Sequence, residues 1–163
     1  LEGQYPDIRD IDNDNVSTTL GLQFSASDNT MFYASFATGF KSGGYNSAAA
    51  SLFELESNLT VDPEKATSYE VGIKSSWMDN RLTANAALFV IDYEDLQVQV
   101  WDPSIGFGVS VWGNAAKVGS QGLELETVFQ ATENLQLAAA VGYVDATYDV
   151  FPGVALPEGC RVY

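Results

Sequence analysis

The stretch YASFATGFKSGGYN, Tyr33 to Asn46, changes character half-way along. Its first half alternates aromatic and small residues, as a half-buried strand does, because successive strand side chains point to opposite faces. At Gly39, Gly43 and Gly44 the pattern dissolves, just where a single lysine, Lys41, appears. An apolar strand running into a glycine-rich connection is unremarkable once. Here the arrangement recurs at long intervals down the chain.

Alternation is the dominant signal on both sides of this stretch, and helical periodicity is hard to find. It predicts six strands over residues 16–26, 31–41, 66–77, 81–100, 114–130 and 135–149. Val16, Thr18, Leu20, Leu22, Phe24 and Ala26 share one face of the first; Phe32, Ala34, Phe36, Thr38 and Phe40 share one face of the second. Tyr69, Val71, Ile73 and Trp77 do so in the third, Leu123, Leu125, Thr127 and Phe129 in the fifth, and Leu135, Leu137, Ala139, Val141 and Tyr143 in the sixth. The fourth is apolar on both sides. Leu82, Ala84, Ala86 and Leu88 are expected to face outward, because Arg81, Thr83 and Asn85 then share the polar face, with a bulge near Asp92 switching the phase. Short turns at SDN (27–29), MDN (78–80) and TEN (132–134) alternate with long connections, one over residues 42–65 that ends at Pro63 and one over roughly 101–113.

The composition narrows the class. The chain has 163 residues, enough for one ordinary domain, and its 18% charged residues fall below the soluble average of about 25%. A net charge of −15 argues against a nucleic-acid partner, since phosphate binding needs a basic face; the chain has no histidine. No run approaches the roughly 18 apolar residues of a membrane-crossing helix. Leu1 leads into an acidic segment without the features of a signal peptide, as expected of a mature protein or an internal fragment. Cys160, the single cysteine, reads as a loop residue whose partner lies outside the chain, with a free thiol as the alternative.

Strands of about eleven residues, tilted by about 45°, cover roughly 25 Å, the height of the apolar band of an outer-membrane barrel. Soluble sandwiches use shorter strands and more frequent turns. Short turns at one end and long loops at the other are the barrel layout. Glu70, Lys74, Glu124 and Glu126, near strand centres, all fall opposite the apolar face, as a wet lumen requires. Aromatics near strand ends fit interfacial belts: Phe24, Phe32, Trp77 and Phe129 toward the short turns, and Phe40, Tyr45, Tyr93, Trp101, Trp112 and Tyr143 toward the long loops. The expected fold is therefore all-β, an antiparallel up-and-down transmembrane barrel portion, incomplete at six strands. A passive porin or structural barrel and a soluble β-rich binding module are the alternatives.

Three stretches carry more than periodicity: YASFATGFKSGGYN, DPEKATSYEVGIKSSWMDNRLTANAALFVIDYEDLQV and NAAKVGSQGLELETVFQATENLQLAAAVGYVDATYD. In order and spacing they resemble the barrel of TonB-dependent outer-membrane receptors, through Pro63, Glu64, Tyr69, Glu70, Gly72 and Lys74, then Arg81 with Leu82, then Gly122, Glu124 and Glu126. The resemblance runs from about Val16 to Tyr148. It implies a Gram-negative outer-membrane protein importing scarce, bulky nutrients, most often ferric siderophores, through a barrel of about 22 strands closed around a plug. It also implies energy supplied through TonB, and no enzymatic activity. Neither TonB box, plug nor terminal aromatic strand is recognisable, so the expectation is an internal piece of one barrel domain.

Among candidate sites, Asp10, Asp12 and Asp14 alternate like calcium ligands, but Asn15 and Gly21 stand where an EF-hand needs glycine and glutamate, and a solvated acidic loop fits better. Asn58 begins an NLT triplet whose glycosylation meaning is confined to eukaryotic secreted proteins. Lys41, Glu70, Lys74, Glu124 and Glu126 are expected to pair across strands or touch a plug rather than act in catalysis. Without histidine there is no nucleophile–histidine pair. No cofactor or metal is expected. Tyr45, Asn46, Trp101 and Trp112 are the candidate ligand contacts, because aromatic residues at a barrel mouth suit siderophores and sugars alike.

Overall fold

The computed structural model describes residues 12–45, 60–101 and 110–150, and it is all-β. The eight strands are β1 (Thr19–Ser27), β2 (Thr30–Lys41), β3 (Gly44–Tyr45), β4 (Thr60–Val61), β5 (Glu64–Trp77), β6 (Leu82–Trp101), β7 (Ser110–Thr132) and β8 (Leu135–Val150). Six form one antiparallel sheet in the order β1-β2-β5-β6-β7-β8, while β3 and β4 pair separately. Successive long strands are neighbours in this meander, the β3–β4 pair standing between β2 and β5 in sequence, and β1 and β8 are its two open edges. The sheet is an unclosed part of a barrel.

The register converts strand-by-strand alternation into continuous rows. Phe24, Phe32, Ile73, Ala86, Leu125 and Val141 lie in one row across all six long strands, and Leu22, Ala34, Val71, Leu88, Leu123 and Tyr143 in the next. Neither row contains a charge. Toward the short turns the same face ends at Trp77, Leu82, Phe129 and Leu137. Toward the long connections it turns polar at Thr67, Asp92 and Gly119, then charged at Lys65, Glu94 and Lys117, where Lys117 and Glu94 approach to 3.4 Å. Among the described residues nothing packs over these apolar side chains: Leu22 is 76% exposed and Val141 67%. A soluble monomer rarely shows a contiguous apolar patch larger than a few hundred Å². A patch crossing six strands calls for a nonpolar surrounding.

The opposite face carries Tyr33, Glu70, Gly72, Lys74, Asn85, Glu124 and Glu126. It also holds Ala87, Phe89 and Ile91, which explains why β6 reads as apolar on both sides. No phase switch occurs near Asp92, contrary to the sequence expectation. The β6–β7 register is unbroken from Leu82 to Trp101, and Leu82, Ala84, Ala86, Leu88 and Val90 keep one face throughout. The apolar residues on the polar side serve a packing purpose instead. Phe89 lies over Gly122, where an added Cβ would come within 2.5 Å of both the Phe89 ring and the Tyr143 carbonyl. Tyr33 covers Gly72 in the same way on the neighbouring pair of strands. An aromatic ring laid over a cross-strand glycine fills the hole the missing side chain leaves and pins the register.

The connection expected over residues 101–113 is shorter than the sequence suggested, because β6 continues to Trp101 and β7 begins at Ser110. Tyr93 and Trp112, expected in the interfacial belt, fall on the polar face by register. The short turns are tight. Met78, Asp79 and Asn80 all adopt left-handed backbone (φ 57°, 57° and 65°), uncommon for residues with a Cβ. Arg81 locks the far side of this turn: its Nε and Nη2 donate to the Gln130 carbonyl at 3.1 and 3.0 Å, and Nη2 to Ala131 at 2.8 Å. The guanidinium takes the place of a partner on the β6 side of β7, where β7 runs past the start of β6. Asn46, Asn58, Asp10 and Cys160 lie outside the described residues, while Asp12 and Asp14 are exposed on irregular chain before β1.

Candidate functional site

Two clusters occupy the polar face. The lower one is centred on β2 and β5. The Tyr33 hydroxyl donates to Glu70 Oε1 at 2.6 Å, and Lys74 Nζ lies 5.6 Å from the Tyr33 ring centroid. Thus Tyr33, which the sequence reading passed over, links Glu70 to Lys74. Glu124 and Glu126 are exposed on β7, two strands beyond β5, opposite Ala87 and Asn85. They make no cross-strand ion pair with Lys74, because register sets Asn85 between Lys74 and Glu126. The Asn85 Oδ1 is itself buried and accepts no hydrogen bond from the described residues.

The upper cluster lies where the strands run into the long connections. Beyond Glu94, β6 has no partner on its β5 side, because β5 begins at Glu64, immediately after Pro63. An unpaired strand edge must satisfy its main-chain groups elsewhere. The Glu64 carboxylate does so in part, accepting the Gln97 amide at 2.9 Å while standing 3.7 Å from Lys41. Gln97 Nε2 then donates to the carbonyls of Ser42 and Asp62, at 2.9 and 3.0 Å. Asn114 clasps Asp62 from the other side. Its Oδ1 accepts the Asp62 amide at 2.8 Å, and its Nδ2 donates to the carbonyls of Asp62 and Asp95 at 2.9 and 2.7 Å. Lys41 Nζ sits 5.6 Å from the Trp112 ring centroid, within cation–π reach.

Of the four candidate ligand contacts, Trp112 therefore lies beside Lys41, half exposed on the polar face. Tyr45, also half exposed, sits in the β3–β4 hairpin whose base the two carboxamides hold. Trp101 ends β6, its side chain outside the described residues, as Asn46 is altogether. Gln97 and Asn114 were not singled out from sequence. What marks them is their hydrogen bonding to Asp62 and, for Gln97, to Glu64, residues more than thirty positions away that only the folded chain brings together.

The chain matches the family model described as TonB dependent receptor-like, beta-barrel, over residues 2–159. The probable TonB-dependent siderophore receptor PiuA of Acinetobacter baumannii is 28% identical over 136 residues, 82% of this chain and 17% of that protein. The ferric-pyoverdine M114 receptor PbuA of Pseudomonas sp. strain M114 is 31% identical over 156 residues, 91% of this chain and 18% of that protein. Among solved structures, the siderophore receptor PirA from Pseudomonas aeruginosa aligns with TM-score 0.65 at 22% identity, over 81% of this chain and 25% of that one. The chain thus spans less than a fifth of the length of these two curated relatives, at 17% and 18%. Members of this group are transport receptors rather than enzymes. With the family model covering residues 2–159 and a relative 31% identical, the chain belongs to the TonB-dependent receptor β-barrel family, proteins of the Gram-negative outer membrane.

Proposed function

We propose that this chain is a contiguous six-strand part of one barrel domain in a longer receptor that takes up a ferric-siderophore-like ligand with energy delivered through TonB. One observation supports this above the rest: the register gathers two charge-free apolar rows, Phe24 to Val141 and Leu22 to Tyr143, on one face, and Glu70, Lys74, Glu124 and Glu126 on the other. From Leu82 to Val90 the apolar band runs eight residue steps, which at about 3.4 Å per residue and a tilt near 45° is roughly 20 Å, close to the band of known barrels. The charged face then borders the lumen, where Lys74, Glu70, Glu124, Glu126 and the unpaired Asn85 carbonyl are available to a plug. Tyr45, Asn46, Trp101 and Trp112 are the proposed ligand contacts at the mouth. Outer-membrane lipid would cover the other face.

The experiment uses the full-length receptor that carries this chain. Cells lacking it should fail to grow on a ferric siderophore as sole iron source, and growth should return with the receptor only when TonB is intact. Uptake that persists without TonB would point instead to a passive pore. No rescue by any ferric siderophore would end the ligand assignment.

A further inference from the structure

We propose that Gln97 and Asn114 are positioning residues for ligand capture: they hold the base of the 42–63 connection on the free edge of the β6–β7 hairpin, and so fix where Tyr45 stands. The inference rests on the functional reading above. Its physical origin is the mismatch in strand length. β6 and β7 continue past Glu94 and Lys117 to Trp101 and Ser110, whereas β5 stops at Glu64. The exposed edge of β6 could recruit any extended chain. Here it recruits the protein's own connection through side chains, not through a strand ladder. Asn114 presents an acceptor and a donor to the amide and carbonyl of one residue, Asp62, as a neighbouring strand would. Gln97 spans both arms of the connection, bonding Ser42 on the way out and Asp62 on the way back. Gly43 lies against the Val61 carbonyl, where any side chain would collide.

A backbone outlier supports this independently. Asp95 is left-handed (φ 55°), and the ladder skips it while the register on either side is unchanged. Left-handed backbone at a residue with a Cβ is unfavourable and persists only where surrounding structure compensates. The compensation is visible: the Asp95 carbonyl accepts the Asn114 Nδ2 at 2.7 Å. One asparagine therefore ties the turned-out residue of β6 to the base of the neighbouring connection. The base of the 42–63 connection and the extended part of β6 and β7 thus meet in one polar knot, with Lys41 and Trp112 on its flank.

The test uses the full-length receptor in lipid vesicles, with Asn114→Leu and Gln97→Met as shape-conserving variants. Hydrogen exchange, read by mass spectrometry on a peptide covering residues 60–63, should quicken at least about tenfold in Asn114→Leu, since the Asp62 amide loses its acceptor. Ferric-siderophore affinity should fall about tenfold in each variant, and that loss should vanish when Tyr45→Ala is already present. Unchanged exchange at Asp62, or a loss of affinity undiminished by Tyr45→Ala, would overturn the proposal. If the unaltered receptor bound no ferric siderophore, the functional reading would fail by itself, and the positioning of Tyr45 for that ligand with it. The exchange data would still decide the pinning without any ligand.

Discussion

Leu88→Arg is the sharpest probe of the two-faced sheet. Leu88 sits in the apolar row with Val71 and Leu123, six residues from Leu82 at the short-turn end and six from Glu94 at the charged end. It therefore lies inside the apolar band, midway between the short-turn end and the charged row, roughly 14 Å from either at about 3.4 Å per residue and a tilt near 45°. An arginine at the midplane of a barrel's lipid face costs about 2–4 kcal/mol, and near the interface only about 0–1 kcal/mol. The expected penalty is thus a factor of about 30 to 1,000 in the folding equilibrium, at about 1.4 kcal/mol per decade. Ala87→Arg, one residue earlier, supplies the comparison. Its side chain would enter the polar face opposite Glu124, and it should cost less than about 1 kcal/mol. Denaturant titration of the full-length receptor in vesicles, followed by tryptophan emission, measures both. Equal penalties at 87 and 88, or a larger one at 87, would refute the assignment of faces.

The other predictions concern packing and turns. Gly122→Ala should destabilise by about 1–3 kcal/mol in the same titration, because one of the two obstructing groups is the Tyr143 main chain and cannot turn aside; Phe89→Leu in the same molecule should restore only part of the loss. Tyr33→Phe removes a hydrogen bond to a carboxylate and should cost about 1.5–3 kcal/mol while leaving siderophore affinity, measured by fluorescence quenching, unchanged. Arg81→Lys keeps the charge but loses the fork that bridges the Gln130 and Ala131 carbonyls, so amide exchange at residues 130–132 should accelerate and stability should fall by about 1–2 kcal/mol.

Period-two alternation made the long strands and their outward faces legible, because a one-residue slip would move every apolar side chain to the wrong side. Leu82, Ala84, Ala86 and Leu88 could be assigned from their polar neighbours alone. Harder to read was the second apolar set on β6. Ala87, Phe89 and Ile91 look like a change of phase, yet they lie on the polar face, where Phe89 covers a glycine more than thirty positions away in sequence. Local pattern carries no information about such a partner. The same limit hid the mouth. Ser110 to Gly113 contains a tryptophan and a glycine and reads as loop, but pairing with Gln99 and Val98 draws Trp112 and Gly113 into β7. Gln97 and Asn114 are ordinary polar residues until register sets them side by side. Tyr45 and Trp112 attracted notice through residue type alone; what brings Trp112 within 5.6 Å of Lys41, at the end of β2, is the extension of β7 back to Ser110.

The sequential strand order bears on how such a sheet is made. Each long strand pairs only with the ones before and after it, so any hairpin can form first and its neighbours can add by closing short loops. The entropy of each addition grows only slowly with the sequence separation of partners, which runs from 3 (Thr132 and Leu135) to 47 (Leu82 and Phe129). Annealing can spread in both directions from the TEN or SDN turn without waiting for remote chain. What remains at the two ends, Thr19–Ser27 and Leu135–Val150, are seams ready to accept the next strand, and the final join of a closed barrel is the one step that must search across the whole polypeptide.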